Sequence, residues 1–281
     1  MFVFPSLSPR VGLSYQISPP QTLNFSYGIY FQSPEYIWLL SHPENSALNF
    51  LRADHLIFGW EYLLSEDTKL SIEIFNNRYK NYPVDVNNPF FTLANSGGYL
   101  RPSFFGGKLL SKGTGFARGV EFFLQKKFAR KFYGLVNYSY SLVKFKALDG
   151  VLRPGDFDCR HIFTLIAGYK PSDAWEFSFK WRYTGGRPYT PFDEELSKKH
   201  GDGRIDLNQI NALGYPPYHR LDLRMDRRFH FNKWNLVVYF DLQNAYNRGN
   251  IYGYIWDSEK EKVITVYQWR IMPVGGFSIE F

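Results

Sequence analysis

Hydrophobic and polar residues alternate with a period of two along most of the chain, the signature of strands with one apolar and one polar face. The clearest run is Trp175 to Thr184. Trp175, Phe177, Phe179, Trp181 and Tyr183 fall on one side, and Glu176, Ser178, Lys180, Arg182 and Thr184 on the other. From Arg220 onward Leu221, Leu223 and Met225 alternate with Arg220, Asp222, Arg224 and Asp226, and Arg228 extends the charged set. Leu236, Val238, Phe240 and Leu242 repeat the pattern. So do Val11 to Ile17, Leu23 to Phe31, Leu56 to Leu64, Leu70 to Phe75, Val120 to Leu124, Val136 to Leu142, Phe163 to Tyr169 and Phe277 to Phe281. That makes eleven strands. Helical spacing shows only weakly, around Glu194 to Lys199.

The connections alternate in length. Short turns fall at Ser18-Pro19-Pro20, Ser65-Glu66-Asp67, Ala129-Arg130-Lys131, Pro171-Ser172-Asp173 and Phe231-Asn232-Lys233. Long loops rich in Gly, Pro and Asn occupy 33–51, 80–113, 145–157, 187–216 and 247–270. A hairpin in the last loop, Ile251 to Trp256 with Val263 to Gln268, reads as an extension outside the main meander. An all-β, antiparallel up-and-down meander with short turns at one end and long loops at the other fits a transmembrane β-barrel, whose strands need about 9–11 residues. Tyr15, Tyr62, Trp175, Tyr183 and Tyr246 sit at strand ends, where interfacial aromatics belong. In this topology His200 and Ser103 lie outside the cell, and Ser172 and Asn232 lie in the periplasm.

Composition agrees. Aromatic residues make up 20% of the chain, yet mean hydropathy is only −0.33. No run of about 18 apolar residues exists, so helical membrane spans are excluded. The net charge of +7 is spread as interleaved signs, without the basic tail or cationic helix face of a nucleic-acid binder. A single cysteine, Cys159, excludes a disulfide framework. The N-terminal MFVFPSLSPR has no basic segment followed by an apolar core, so it does not read as a signal peptide.

Little in the chain points to chemistry. No G-x-S-x-G elbow or H-E-x-x-H pair is present. His42, His55, His161, His200, His219 and His230 are scattered singly. Asp156 to His161 could be imagined as a metal or acid–base cluster, but an Asp/Arg hydrogen-bonded corner is favoured. His200 to Asp206 lacks the ligand spacing and terminal Glu of a calcium loop. The expectation is a non-enzyme without cofactor or metal. Arg220, Asp222, Arg224 and Asp226 are expected to line a polar lumen. The aromatic loop segments Tyr36-Ile37-Trp38, Phe104-Phe105 and Tyr215 to Tyr218 are candidates for ligand stacking, without any one of them being assigned as a site.

The last residues, Met272 to Phe281, with alternating Phe277, Ile279 and Phe281, resemble the C-terminal assembly signal of bacterial outer-membrane proteins. Tyr239 to Asn247, ending Asn244-Ala245-Tyr246-Asn247, resembles the penultimate strand and corner of TonB-dependent receptors. Gly113 to Glu121, Arg153 to His161 and Thr184 to Tyr189 are similar to the same family. The resemblance covers essentially the whole chain. It implies a Gram-negative outer-membrane location and a barrel of about 22 strands filled by a plug. It further implies contact with outer-membrane lipid, insertion by the barrel-assembly machinery, and uptake of an iron chelate, vitamin or glycan driven by TonB through the plug.

Eleven strands are half of such a barrel, so residues 1–281 are expected to be its C-terminal half, with plug domain and signal peptide absent. Such a partial receptor is not expected to transport anything alone. Two other readings stay open: a soluble antiparallel sheet that binds carbohydrate, and an outer-membrane barrel enzyme with its site at the loop rim.

Overall fold

The computed structural model describes residues 7–95 and 107–281. Eleven long strands follow one another in a single antiparallel sheet, each pairing with the next in sequence. They are β1 (Arg10–Ser18), β2 (Gln21–Gln32), β3 (Leu51–Ser65), β4 (Thr68–Asp85), β5 (Leu109–Ala129), β6 (Phe132–Lys146), β8 (His161–Ser172), β9 (Trp175–Thr184), β12 (Tyr218–His230), β13 (Asn235–Gln243) and β16 (Met272–Glu280). A three-residue strand, β7 (Leu152–Pro154), pairs with the end of β6. Two small sheets stand apart: β10 (Pro188–Tyr189) with β11 (Leu213–Gly214), and β14 (Ile251–Asp257) with β15 (Lys262–Tyr267). Two short helices, α1 (Tyr36–Leu40) and α2 (Glu194–His200), lie in the long connections.

All eleven expected strands are present, and the hairpin of the last loop lies off the main sheet. Their lengths differ from expectation. β4 has 18 residues and β5 has 21, so they take the two ends, 80–85 and 109–113, of what reads as an 80–113 loop. Likewise β7 lies inside the 145–157 loop. Helix α1 is also an addition; five residues are too few for a helical hydrophobic period to show.

The turns at the short end are built locally. Asp67 accepts from the Ser65 and Thr68 hydroxyls at 2.6 and 2.8 Å and from Lys126 Nζ at 2.6 Å. Arg130 and Lys131 both take positive φ, 50° and 73°, the backbone of a tight turn whose twist matches a hairpin.

Register places the apolar side chains in continuous rows on one face. Leu13, Phe25, Phe58, Ile74 and Val120 are successive cross-strand partners. Ala167, Phe179, Leu223 and Leu242 form another such row. Among the described residues no second layer covers this face, and Phe58, Ile74, Phe177, Leu223 and Phe240 are exposed on it. A soluble sandwich buries such a face against another sheet. An apolar belt left open over so many strands calls for lipid instead.

The sheet is also open at its sides. Among the described residues β1 pairs only with β2, and β16 only with β13. With an odd strand number these two edges run in the same direction, so they cannot close on each other in an antiparallel meander.

The buried apolar core lies elsewhere, among the long connections. Trp38, Leu51, Phe91, Leu93, Leu109 and Ile210 pack together, with Leu48, Tyr82 and Phe90 against them. Trp38 belongs to the β2–β3 connection and Ile210 to the β9–β12 connection. Those connections are six strand spacings apart in the sheet, about 29 Å if it were flat. The long loops therefore lean together over one end of the polar face.

Candidate functional site

The polar face carries its charges in pairs. Side chains two apart on a strand share a face, and on β12 Arg220 and Arg224 use this spacing to reach the next aspartate. Arg220 donates to Asp222 Oδ2 from Nη2 at 2.7 Å and from Nε at 3.1 Å. Arg224 grips both oxygens of Asp226, at 2.6 and 2.9 Å, and Arg228 does the same to Glu280 of β16 at 2.6 and 3.2 Å. Two-point guanidinium–carboxylate bonds fix side-chain direction as well as neutralising charge.

Neighbouring strands complete this wall. Lys180 lies directly opposite Asp222. Asp226 faces Glu176 across the β9–β12 pair, a like-charge pairing that is unfavourable by itself. Arg224 relieves it on one side, and the Tyr133 hydroxyl relieves it on the other by donating to Glu176 Oε1 at 2.6 Å. Tyr133, Glu176, Ser178, Arg224, Asp226 and Arg228 border a polar recess of about 270 Å³. The four residues of the expected ladder thus share one face and form two intrastrand ion pairs.

Above this wall the five long connections are joined into a roof. Asn45, fully buried, donates to the Trp38 and Gly107 carbonyls at 2.9 and 3.2 Å and accepts from the Leu109 N–H at 2.8 Å. Asn95 and Asn211 both donate to the Pro154 carbonyl, at 3.2 and 2.9 Å, and Asn211 also donates to Asp156 at 2.7 Å. These asparagines draw together the β2–β3, β4–β5, β6–β8 and β9–β12 connections.

The β14–β15 hairpin joins through aromatic rings. Tyr189, Tyr215 and Tyr254 form a cluster with centroid distances of 4.5, 5.0 and 5.0 Å. The Arg187 guanidinium lies over Tyr215 at 5.1 Å and donates to the Tyr252 carbonyl at 3.4 Å. Burial pushes the Tyr189 phenol up, and the Tyr254 and Tyr215 phenols beside it push the same way. The ring therefore stays a neutral hydroxyl at physiological pH. Such a cluster presents flat apolar faces with polar tips, suited to planar chelators or sugar rings.

Of the expected stacking segments, Tyr215 enters this cluster. Trp38 enters the roof core, while Tyr36 is exposed on α1. Phe104, Phe105 and Ser103 lie outside the described residues. Tyr189 and Tyr254 are missing from the sequence-based set, because single tyrosines in separate loops carry no periodic signal that pairs them.

The remaining segments resolve into structural roles. Asp158, 2% exposed, accepts from the Val143 N–H at 3.0 Å and from Arg160 Nε at 3.0 Å. Arg160 itself takes φ 61°, so residues 156–161 form a hydrogen-bonded corner. Burial pushes the adjacent Cys159 thiol up; the Arg187 cation opposes this less strongly, and Asp158 adds a still smaller upward push. In 200–206 the carboxylates are engaged by the chain: Asp202 pairs with Arg204 at 2.8 Å, and Asp206 caps the turn at Asn208. Gly186 is needed because a Cβ would collide with the Tyr215 carbonyl.

Asn244 and Asn247 both adopt positive φ, 52° and 57°. Asparagine tolerates that region best after glycine. Asn244, 1% exposed, bonds Arg248 in both directions, at 2.8 and 3.1 Å. This corner sets where β13 ends and the last long connection begins.

Residues 3–245 match a family model described as TonB dependent receptor-like, beta-barrel. No curated relative is matched by sequence. Among solved structures the fold is similar to the ferripyoverdine receptor of the outer membrane of Pseudomonas aeruginosa bound to ferripyoverdine. There the identity is 14%, the TM-score 0.68, and coverage 97% of this chain and 32% of the receptor. The ferric citrate transporter FecA in its unliganded form gives 12%, 0.65, 97% and 38%. The ferric-catecholate import receptor Fiu from K12 E. coli, closed form, gives 14%, 0.62, 96% and 34%. The chain thus spans about a third of the length of the receptors it matches.

Proposed function

Because the chain belongs to the TonB-dependent receptor β-barrel family of the Gram-negative outer membrane, we propose that it forms half the wall of a barrel importing a scarce nutrient. The observation that carries this reading is one sheet of eleven strands with an open apolar face, a paired charged face and two edges that are unpaired among the described residues. An unpaired strand edge in hydrocarbon leaves backbone groups unsatisfied, so β1 and β16 are each completed by a further strand.

In this reading the apolar belt meets lipid and the Arg220/Asp222/Arg224/Asp226 ladder faces the lumen, against the plug. Paired charges suit that task. They offer directional hydrogen bonds to a plug surface without the pull of a net-charged wall on passing solutes. The roof, with Tyr189, Tyr215 and Tyr254, forms part of the ligand mouth, and force from TonB acts on the plug. The ligand is an iron chelate, a vitamin or a glycan. Ferric siderophores are the leading class, because the similar receptors named above carry ferric ligands in their descriptions. The wall and roof residues bind and orient; no covalent step is involved.

The test is uptake of radiolabelled ferric hydroxamates, ferric catecholates, cobalamin and maltodextrins by cells with and without the intact receptor. TonB-dependent uptake of one of them is expected. A receptor whose presence changes uptake of none, with or without TonB, contradicts the proposal.

A further inference from the structure

Above the apolar belt, at the long-loop end, the outward face of β3 to β6 changes character. Leu56, Asn76, Arg118 and Leu142 are cross-strand partners in one row. Asp54, Arg78, Phe116 and Lys144 form the next, with Arg52 beside Lys80 and Thr114 beside Lys146 beyond it. These positions continue the face that carries Ile74 and Val120, by the two-residue periodicity of a strand. The rows hold six cations, Arg52, Arg78, Lys80, Arg118, Lys144 and Lys146, against one carboxylate.

That carboxylate is already engaged. Asp54 pairs with Arg52 at 2.7 Å and Lys80 at 3.5 Å. Arg118 lies over the Phe116 ring at 4.7 Å, which holds its guanidinium along the strand surface. Arg78, Lys80, Arg118 and Lys146 are exposed. On the opposite face at the same height are Tyr79, Gly115 and Phe145, packed beneath the roof. The usual polarity of the wall is therefore inverted here, with the charge outside.

We propose that this patch binds the phosphate groups of outer-leaflet lipid headgroups. Three observations single out that occupant. The cations start in the row immediately above the belt and occupy three rows, about 7, 14 and 20 Å along the strands from the Ile74–Val120 row, the height at which headgroups follow the hydrocarbon. They face away from the lumen, so a solute in transit does not meet them. Their net charge is positive across four adjacent strands, and guanidinium forks match phosphate oxygens. The proposal rests on the barrel reading above.

The experiment uses the intact receptor in nonionic detergent and measures its thermal unfolding with three additives at equal concentration: diphosphorylated lipid A, the same lipid with both phosphates removed, and inorganic phosphate. Diphosphorylated lipid A should raise the unfolding temperature by several degrees, and the other two should not. The variant carrying Arg78→Gln, Lys80→Gln, Arg118→Gln and Lys144→Gln should lose that shift. A control carrying Lys198→Gln, Lys199→Gln, Lys260→Gln and Lys262→Gln removes the same charge from the loops and should keep it. An equal shift in the patch variant, or an equal shift with inorganic phosphate or the dephosphorylated lipid, overturns the proposal. Heat-modifiable gel mobility of each variant is read in parallel. A receptor that never migrates as a closed barrel overturns the barrel reading and the patch with it, whereas closed barrels without the lipid shift overturn the patch alone.

Discussion

The backbone N–H of Asn244 donates to Asp222 Oδ1 at 2.9 Å, tying the charged ladder of β12 to the corner where the chain leaves β13. Asp222 thereby serves two partners, since its other oxygen holds Arg220. The ladder and the last long connection are positioned by the same carboxylate.

Asn244→Ala should destabilise the intact receptor by about 2–4 kcal/mol, combining a left-handed backbone that alanine disfavours with buried partners left unsatisfied. Asn244→Gly keeps the backbone freedom and should cost less. Urea unfolding of both variants in detergent checks the order, and equal costs would show that the backbone conformation is not the constraint.

Phe179→Arg should cost more than Lys180→Ala. Phe179 lies between Ala167 and Leu223 on the apolar face, whereas Lys180 lies opposite Asp222 on the charged one. A cation placed mid-belt costs about 2–4 kcal/mol in barrels, and changes on the lumen side are mild. Refolding free energies in lipid vesicles decide the matter, and equal values would mean that the faces are assigned to the wrong environments.

How much of this was readable in the sequence depends on the residue class involved. The strand centres are legible because residues such as Phe177 and Phe179 alternate with Ser178 and Lys180 at a membrane boundary that tolerates no compromise. The upper parts of β4 and β5 are not. There the outward positions are Asn76, Arg78 and Arg118, so both faces turn polar or mixed and the alternation disappears although the backbone pairing continues. The ladder was legible for the same reason as the strand centres, because Arg220 to Asp226 alternate strictly with Leu221 to Met225. The roof was not, since Trp38, Phe91 and Ile210 meet only through tertiary packing. The asparagines that join the loops look, in sequence, like ordinary turn residues.

Acid should loosen the roof at the 147–153 segment. Arg153 beside Asp149, at 2.7 Å, holds that carboxyl below the usual range, helped by the Val151 N–H. A carboxylate with a depressed folded-state pKa adds stability above its unfolded-state pKa and loses it as pH falls through the folded value. Hydrogen exchange of this segment, corrected for intrinsic rates, should therefore show full protection at neutral pH and declining protection below the ordinary carboxylate range. Asp149→Asn should show reduced protection already at neutral pH. A pH-independent wild type would contradict the role assigned to the pair.

Phe281 should matter for insertion. Phe277 and Ile279 are exposed at the short-turn end, Phe277 by 72%, and Phe281 is fully exposed beyond them. An aromatic ring at that rim gains by lying at the lipid interface. Deleting Phe281 from the intact receptor should lower its yield in outer-membrane fractions well below that of a Lys199 deletion, as read by immunoblot. Equal yields would remove any special role for the final residues.

The open edges of β1 and β16 make the central claim directly measurable through heat-modifiable gel mobility, which reads whether a barrel is closed. The intact receptor that carries this segment should migrate faster unheated than boiled. The 281-residue chain expressed alone, whose described residues offer no strand to pair with either edge, should run at one mobility whether heated or not. A heat-modifiable band from that chain by itself would show that eleven strands close, alone or as an oligomer, and would contradict the account of a barrel wall that other strands complete.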